Sequence, residues 1–288
     1  MKSRIRERKL VGRGAYALPS IFTAGTIFCG YFSIMKTVHA ISLLPEHPLE
    51  AAVQFNLAAL AIIVAAFTDG MDGRIARLTG AESDFGRELD SLADVVTFGI
   101  APALLAFAWG IRGIDPSTSG PLTEHLTRFG YFLGFLFLIC GAARLARFNV
   151  QRNPVPKNPG RFGRKYFVGL PIPAAAGLLA AIIHAAGGYP IRGWFPTGVL
   201  WLALLGLLSF LMVCTWRYNS FKDINLLQQR SWVTVVVIAM MIPLIWNFSQ
   251  PMLLAIGITY VASGIVVRVG GVLRRRPKHL PEPTQQTN

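Results

Sequence analysis

The stretch 69–94, DGMDGRIARLTGAESDFGRELDSLAD, decides how this chain is read. It sets Asp69 and Asp72 three residues apart, and Asp90 and Asp94 four apart, where two apolar runs end. On a helix, positions i, i+3 and i+4 share a face, so each pair aims its two carboxylates the same way. Two such helices facing each other make a four-carboxylate cage. Acids near a membrane are costly and usually face an interior or a cavity, so four together demand something positive to hold. Oxygen-only ligands favour Mg2+ or Mn2+ over zinc, and four carboxylates exceed what one Mg2+ normally takes. Two ions sharing bridging carboxylates suit displacement at a phosphate ester. Gly70, Gly73 and Ala76 leave one helical face without bulk, and Arg77 offers a fork suited to phosphate.

Outward from this stretch the chain is apolar. Its 288 residues are 53% hydrophobic and 15% charged, too greasy for an ordinary soluble domain. The fold class expected is an all-α polytopic membrane protein. Apolar segments at about 18–44, 49–67, 89–111, 129–146, 167–187, 195–213, 232–248 and 251–269 predict eight spans. Eight spans place both termini and all the carboxylates on one side. Of the 28 lysines and arginines, only Lys36, Arg112, Arg128 and Arg192 then fall on the other side, so the positive-inside rule makes the carboxylate side cytoplasmic. The expected location is the cell's inner membrane, with a cytoplasmic site. An odd number of spans would scramble that asymmetry.

The domain organisation expected is a basic cytoplasmic segment at 1–15, one membrane domain over 16–272 and a disordered tail at 273–288. Lys2, Arg4, Arg6, Arg8, Lys9 and Arg13 suit an anionic lipid surface, and the Pro- and Gln-rich tail is poor in apolar content. A net charge of +14 raises nucleic acid as a partner, but the cations are dispersed between apolar segments without interleaved aromatic platforms, so none is expected. Cys29, Cys140 and Cys214 lie singly in apolar runs and support neither a zinc site nor a disulfide framework.

Asp69, Asp72, Gly73, Ala76, Arg77, Gly86, Asp90 and Asp94 fit the spacing DxxDGxxARx8GxxxDxxxD, and with it the chain resembles the CDP-alcohol phosphotransferases. The resemblance implies two divalent cations, Mg2+ or Mn2+. Asp69 and Asp90 would contact both ions, Asp72 would complete the first and Asp94 would touch the second. It further implies that Gly73, Ala76, Arg77 and Ser83 hold the cytidine nucleotide of CDP-diacylglycerol, with Ser20 and Thr23 as contributors, that Asp94 is the general base, and that the protein is a homodimer. LPSIFTAGTIFCGYFSI at 18–34, GAARLARFNV at 141–150 and KYFVGLPIPAAAG at 165–177 look like segments of the membrane-embedded phosphatidylserine synthases, which implies L-serine as acceptor. Relatives commonly carry asparagine where Ser20 and Thr26 stand here, and Ser or Thr where Ile172 stands.

Read from the residues alone, Arg144, Arg147 and Asn149 close one span and Lys165 opens the next, so a cationic, amide-lined recess beside the cage suits a small zwitterion with a carboxylate. Arg144 sits deepest in an apolar run, where an unpaired charge costs about 2.5 kcal/mol or more. The same carboxylate motif would serve a sister enzyme using glycerol 3-phosphate or an inositol phosphate, acceptors that want a denser cationic pocket. An ion-coupled transporter is the alternative from another class. Transporters place their carboxylates near the midplane within paired repeats, and no repeat is visible here.

Overall fold

A computed structural model describes residues 13–79, 84–112, 121–150, 166–191, 195–219, 243 and 247–273. Helices dominate, because a backbone inside a bilayer must satisfy its own N–H and C=O groups. Helix α1 is Arg13–Leu43, α2 Pro48–Thr79 and α3 Asp84–Asp94; a π-helical turn, Val95–Ile100, leads directly into α4, Ala101–Gly110. Then come α5 (Pro121–Val150), strand β1 (Tyr166–Val168), α6 (Ile172–Ala185), α7 (Phe195–Val213), strand β2 (Arg217–Asn219) and α8 (Ser249–Leu273). Among the described residues six helices are long and apolar enough to cross a membrane: Ile21–Leu43, Pro48–Gly70, Phe85–Gly110, Glu124–Val150, Pro196–Val213 and Ser249–Arg268. They fit a multi-pass membrane protein. The expected segment 1–15 falls largely outside the described residues, as do the expected span at 232–248 and the tail.

Small residues set the packing. Ala40 on α1 and Ala51, Ala52, Ala58, Ala59 and Ala65 on α2 are all buried, so the backbones approach closely, as membrane helices without a hydrophobic drive between them require. Gly30 on α1 admits the π-turn, since a Cβ there would stand 2.5 Å from Thr97 Oγ1. Gly110 admits the Trp201 ring of α7, which a Cβ would meet at 2.1 Å. The Trp201 indole N–H in turn donates to the Ala106 carbonyl at 2.9 Å, and its ring meets Trp109 edge-on at 4.9 Å.

The fifth expected span takes another form. Residues 167–187 divide into strand β1 and helix α6, and α6 has only 14 residues. At 1.5 Å per residue it is about 21 Å long, short of the roughly 30 Å of hydrocarbon. Proline starts it, with Pro171 at the N-cap and a further proline at the first helical positions. Two glycines end it: Gly187 and Gly188 have φ of 62° and 77°. Upstream, β1 pairs antiparallel with β2, with Phe167 opposite Tyr218. Gly169 N–H extends the pairing to Trp216 O at 2.8 Å, just before β2, and Leu170 N–H to Leu211 O at 2.9 Å locks the segment to the end of α7.

At the other end of α6, His184 meets Asn56 Oδ1 of α2 through Nδ1 at 2.6 Å and Ser249 Oγ of α8 through Nε2 at 2.9 Å. Gly188 lies beside this junction, where a Cβ would fall 2.0 Å from the Ala52 carbonyl oxygen. Gly188→Ala is therefore expected to destabilise the fold by at least about 2 kcal/mol, through left-handed backbone strain plus that clash. Thermal unfolding of the detergent-solubilised protein measures it.

Candidate functional site

The carboxylates sit inside helices that outrun their apolar segments. Helix α2 has 32 residues, about 48 Å at helical rise, so Asp69 lies ten residues before its end at Thr79. Helix α3 begins at Asp84, ahead of the apolar run expected from Leu89, and carries Asp90 and Asp94 on its last turns. Asp69 of α2 is thus brought to Asp90 and Asp94 of α3.

Asp69, Asp90 and Asp94 converge. One oxygen from each lies within 4.8 Å of the others, and all three side chains are partly buried. Helix α3 itself is strongly two-sided, with Ala93 buried, Phe85, Glu88 and Leu92 exposed, and Asp90 and Asp94 partly buried. Asp72, Gly73, Ala76 and Arg77 continue the α2 backbone beyond Asp69, and their side chains are outside the described set, as is that of Ser20 on α1. Ser83 and Lys165 lie outside the described residues altogether. Thr23 is buried on α1.

Hydroxyl groups brace the cluster from beneath. Thr68, next to Asp69, donates to Ala65 O at 2.9 Å and lies 3.4 Å from Thr26 Oγ1 of α1. Thr97 in the π-turn donates to the Thr26 carbonyl at 2.9 Å. Asp94 is the residue on which that turn starts. A π-turn inserts an extra residue into the helical spacing and is common at functional sites. Here it precedes Pro102, whose ring would clash with the carbonyl four residues back in an unbroken α-helix. The departure noted at Thr26 thus has a local use, its hydroxyl tying α1 to α2 beside Asp69, while the tie to the π-turn uses its backbone carbonyl.

A second helix closes the side. Asn149, near the end of α5, donates from Nδ2 to Ser91 Oγ at 2.9 Å, between Asp90 and Asp94 in sequence. Its amide is thereby engaged in joining α5 to α3. Arg144, one and a half turns earlier, is buried at 7% exposure, with its guanidinium 4.7 Å over the Phe148 ring. It interacts electrostatically with Asp94 and with Tyr260 of α8, and Arg147, partly buried, is near enough to oppose it. Ile172, at the other departure, is fully buried and packs where Gly141 lacks a side chain, so it serves the fold.

The donor set fits a hard divalent cation. Oxygens bound to one Mg2+ at about 2.1 Å stand roughly 3 to 4.2 Å apart, within small side-chain movements of this cluster. Without a cation, carboxylates within 4.8 Å repel by about 3.5 kcal/mol or more per pair at an effective dielectric of about 20. Such a cluster can bind metal and, through it, a diphosphate. Reading the sequence missed Tyr260, which interacts with Arg144. Tyr260 stands in an apolar run where a phenol that must find a partner was the available signal.

Comparison with known proteins identifies the family. The CDP-alcohol phosphatidyltransferase family model matches residues 16–198. A CDP-diacylglycerol--serine O-phosphatidyltransferase of Helicobacter pylori is 36% identical over 211 residues, 73% of this chain and 75% of that protein. One from Bacillus subtilis is 31% identical over 205 residues, 71% of this chain and 91% of its own. One from Saccharomyces cerevisiae is 36% identical over 172 residues, 60% of this chain and 55% of its own. The matched region holds α1 to α6 and every carboxylate of the cluster, and the chain belongs to the CDP-alcohol phosphatidyltransferase family.

Proposed function

We propose that this protein is an enzyme that transfers the phosphatidyl group from CDP-diacylglycerol to L-serine, giving phosphatidylserine and CMP. The observation that carries the reading is the convergence of Asp69, Asp90 and Asp94 with buried Arg144 beside Asp94. It is supported by relatives named for that reaction at 31–36% identity.

Asp69, Asp72, Asp90 and Asp94 would hold two divalent cations, Mg2+ or Mn2+. Bound there, the cations would neutralise the diphosphate and polarise its phosphorus–oxygen bonds. The chain's own groups do the rest. Gly73 and Ala76 let the nucleotide approach the α2 backbone, and Arg77, Ser83, Ser20 and Thr23 hold it. Arg144, aided by Arg147, Asn149 and Lys165, receives the serine carboxylate, which fixes the hydroxyl toward Asp94. Asp94 takes the hydroxyl proton as the serine oxygen bonds to the phosphorus that carries the diacylglycerol oxygen. The bond from that phosphorus to the bridging oxygen breaks, and CMP departs with its charge balanced in part by Arg77.

The site faces the cytoplasm of a cell whose inner membrane the chain crosses eight times, the short α6 making the fifth crossing together with the extended segment before it. Both termini are cytoplasmic, and the protein works as a homodimer. The lysine and arginine asymmetry supports that topology. Incubating the purified protein with CDP-diacylglycerol and serine, glycerol 3-phosphate or an inositol phosphate, and following CMP release and the lipid formed, tests the assignment. CMP released with serine alone is expected. Release with a phosphorylated alcohol instead would assign the sister activity.

A further inference from the structure

Two buried polar atoms on neighbouring elements have no hydrogen-bond partner among the described residues. Arg144 Nε is buried without a hydrogen-bond partner, and so is the hydroxyl of Tyr218, a residue with 0% exposure. A buried group in that state is costly, and phenylalanine would fill the position of Tyr218 without the cost. The backbone nevertheless goes to some length to present this phenol. Tyr218 is the central residue of β2, held opposite Phe167 of β1. Its ring lies 6.0 Å from that of Tyr260 on α8. One turn beyond Tyr260, Gly264 opens the helix to it, since a Cβ there would stand 2.2 Å from the ring. Arg144 interacts electrostatically with both Asp94 and Tyr260. Pairwise neighbours thus link Asp94 to Arg144, Arg144 to Tyr260, and Tyr260 to Tyr218.

We propose that Tyr218 and Tyr260 form the acceptor-selecting wall of the site, Tyr218 Oη accepting a hydrogen bond from the serine α-ammonium and the Tyr260 ring flanking that cation, while Arg144 takes the carboxylate. The inference rests on the reading of serine as acceptor and assigns the half of the amino acid that the arginine cannot recognise. An ammonium group is three donors with no acceptor, matched by a phenol oxygen and attracted to an aromatic face. The same wall is electronegative toward a phosphate, so it favours a zwitterion over glycerol 3-phosphate. It also gives a role to β2 and α8, which lie beyond the matched region ending at residue 198.

The test compares wild type with Tyr218→Phe and Tyr260→Phe, using L-serine, 3-hydroxypropanoate, which lacks the ammonium, and ethanolamine, which lacks the carboxylate. In Tyr218→Phe the KM for serine is expected to rise about 5- to 20-fold, with the KM for CDP-diacylglycerol within twofold, and the preference for serine over 3-hydroxypropanoate to collapse. Tyr260→Phe retains the ring and is expected to keep that preference, whereas Tyr260→Leu loses it. If serine KM and acceptor preference are unmoved in Tyr218→Phe while its melting temperature rises, the hydroxyl is a packing defect and the proposal is overturned. Should that variant not fold, an unchanged preference in Tyr260→Leu overturns it equally. A wild type that releases no CMP with serine sinks the proposed function instead.

Discussion

Asp94→Asn is expected to reduce kcat at least 1000-fold while CDP-diacylglycerol still binds measurably. Two losses combine. The amide cannot accept the serine proton, and general-base catalysis alone is worth about 100- to 10,000-fold. The substitution also removes one negative charge from a cluster whose members lie within 4.8 Å, weakening its hold on metal. Asn keeps the shape of Asp, so α3 and the π-turn that starts at this residue should persist. Turnover rate and lipid binding, measured on the same preparation, separate chemistry from folding. Full activity in the variant would remove Asp94 as base.

Arg144→Ala is expected to raise the KM for serine by about 10- to 100-fold and to leave the KM for CDP-diacylglycerol within about threefold. The magnitude follows from losing a charge-assisted, two-pronged bond to a carboxylate, worth roughly 1.5 to 3 kcal/mol. Arg144→Lys keeps the charge without the fork and should fall between the two. The location makes the effect selective: the guanidinium is buried on α5, near Asp94 and stacked over Phe148, while the nucleotide-holding positions continue along α2. Equal changes in both KM values would reassign the residue to holding the cluster together.

Part of this architecture was legible because local rules suffice for it. The spacing of Asp90 and Asp94 dictates a shared helical face, and the convergence with Asp69 follows once both segments are helices that meet at one end. Hydropathy located the six long apolar helices. It misjudged where helices end, because it reports lipid contact rather than backbone geometry. The segment after Asp69, GMDGRIARLT, is polar yet contains no proline, so α2 continues through it to Thr79.

At 167–187 the failure ran the other way. An apolar run of spanning length hid Pro171 and Pro173, Gly187 and Gly188, and strand β1, whose partner β2 lies some fifty residues on. Nothing local to Phe167 announces Tyr218. The proposed acceptor wall was invisible for the same reason, since Arg144, Tyr218 and Tyr260 come from three separate elements that only the folded chain brings together. Asn149 was legible as a polar residue at the right end of α5, but its hydrogen bond to Ser91 depends on a neighbour 58 residues away.

Direct titration of Mn2+ into the chelator-stripped protein, followed by electron paramagnetic resonance with CMP release read in parallel, tests the central claim. With CDP-diacylglycerol present, the account predicts two Mn2+ per chain, activity that rises with occupancy, and loss of both in Asp90→Asn. Undiminished CMP release from the stripped protein, or Mn2+ binding that Asp90→Asn leaves intact, would contradict it.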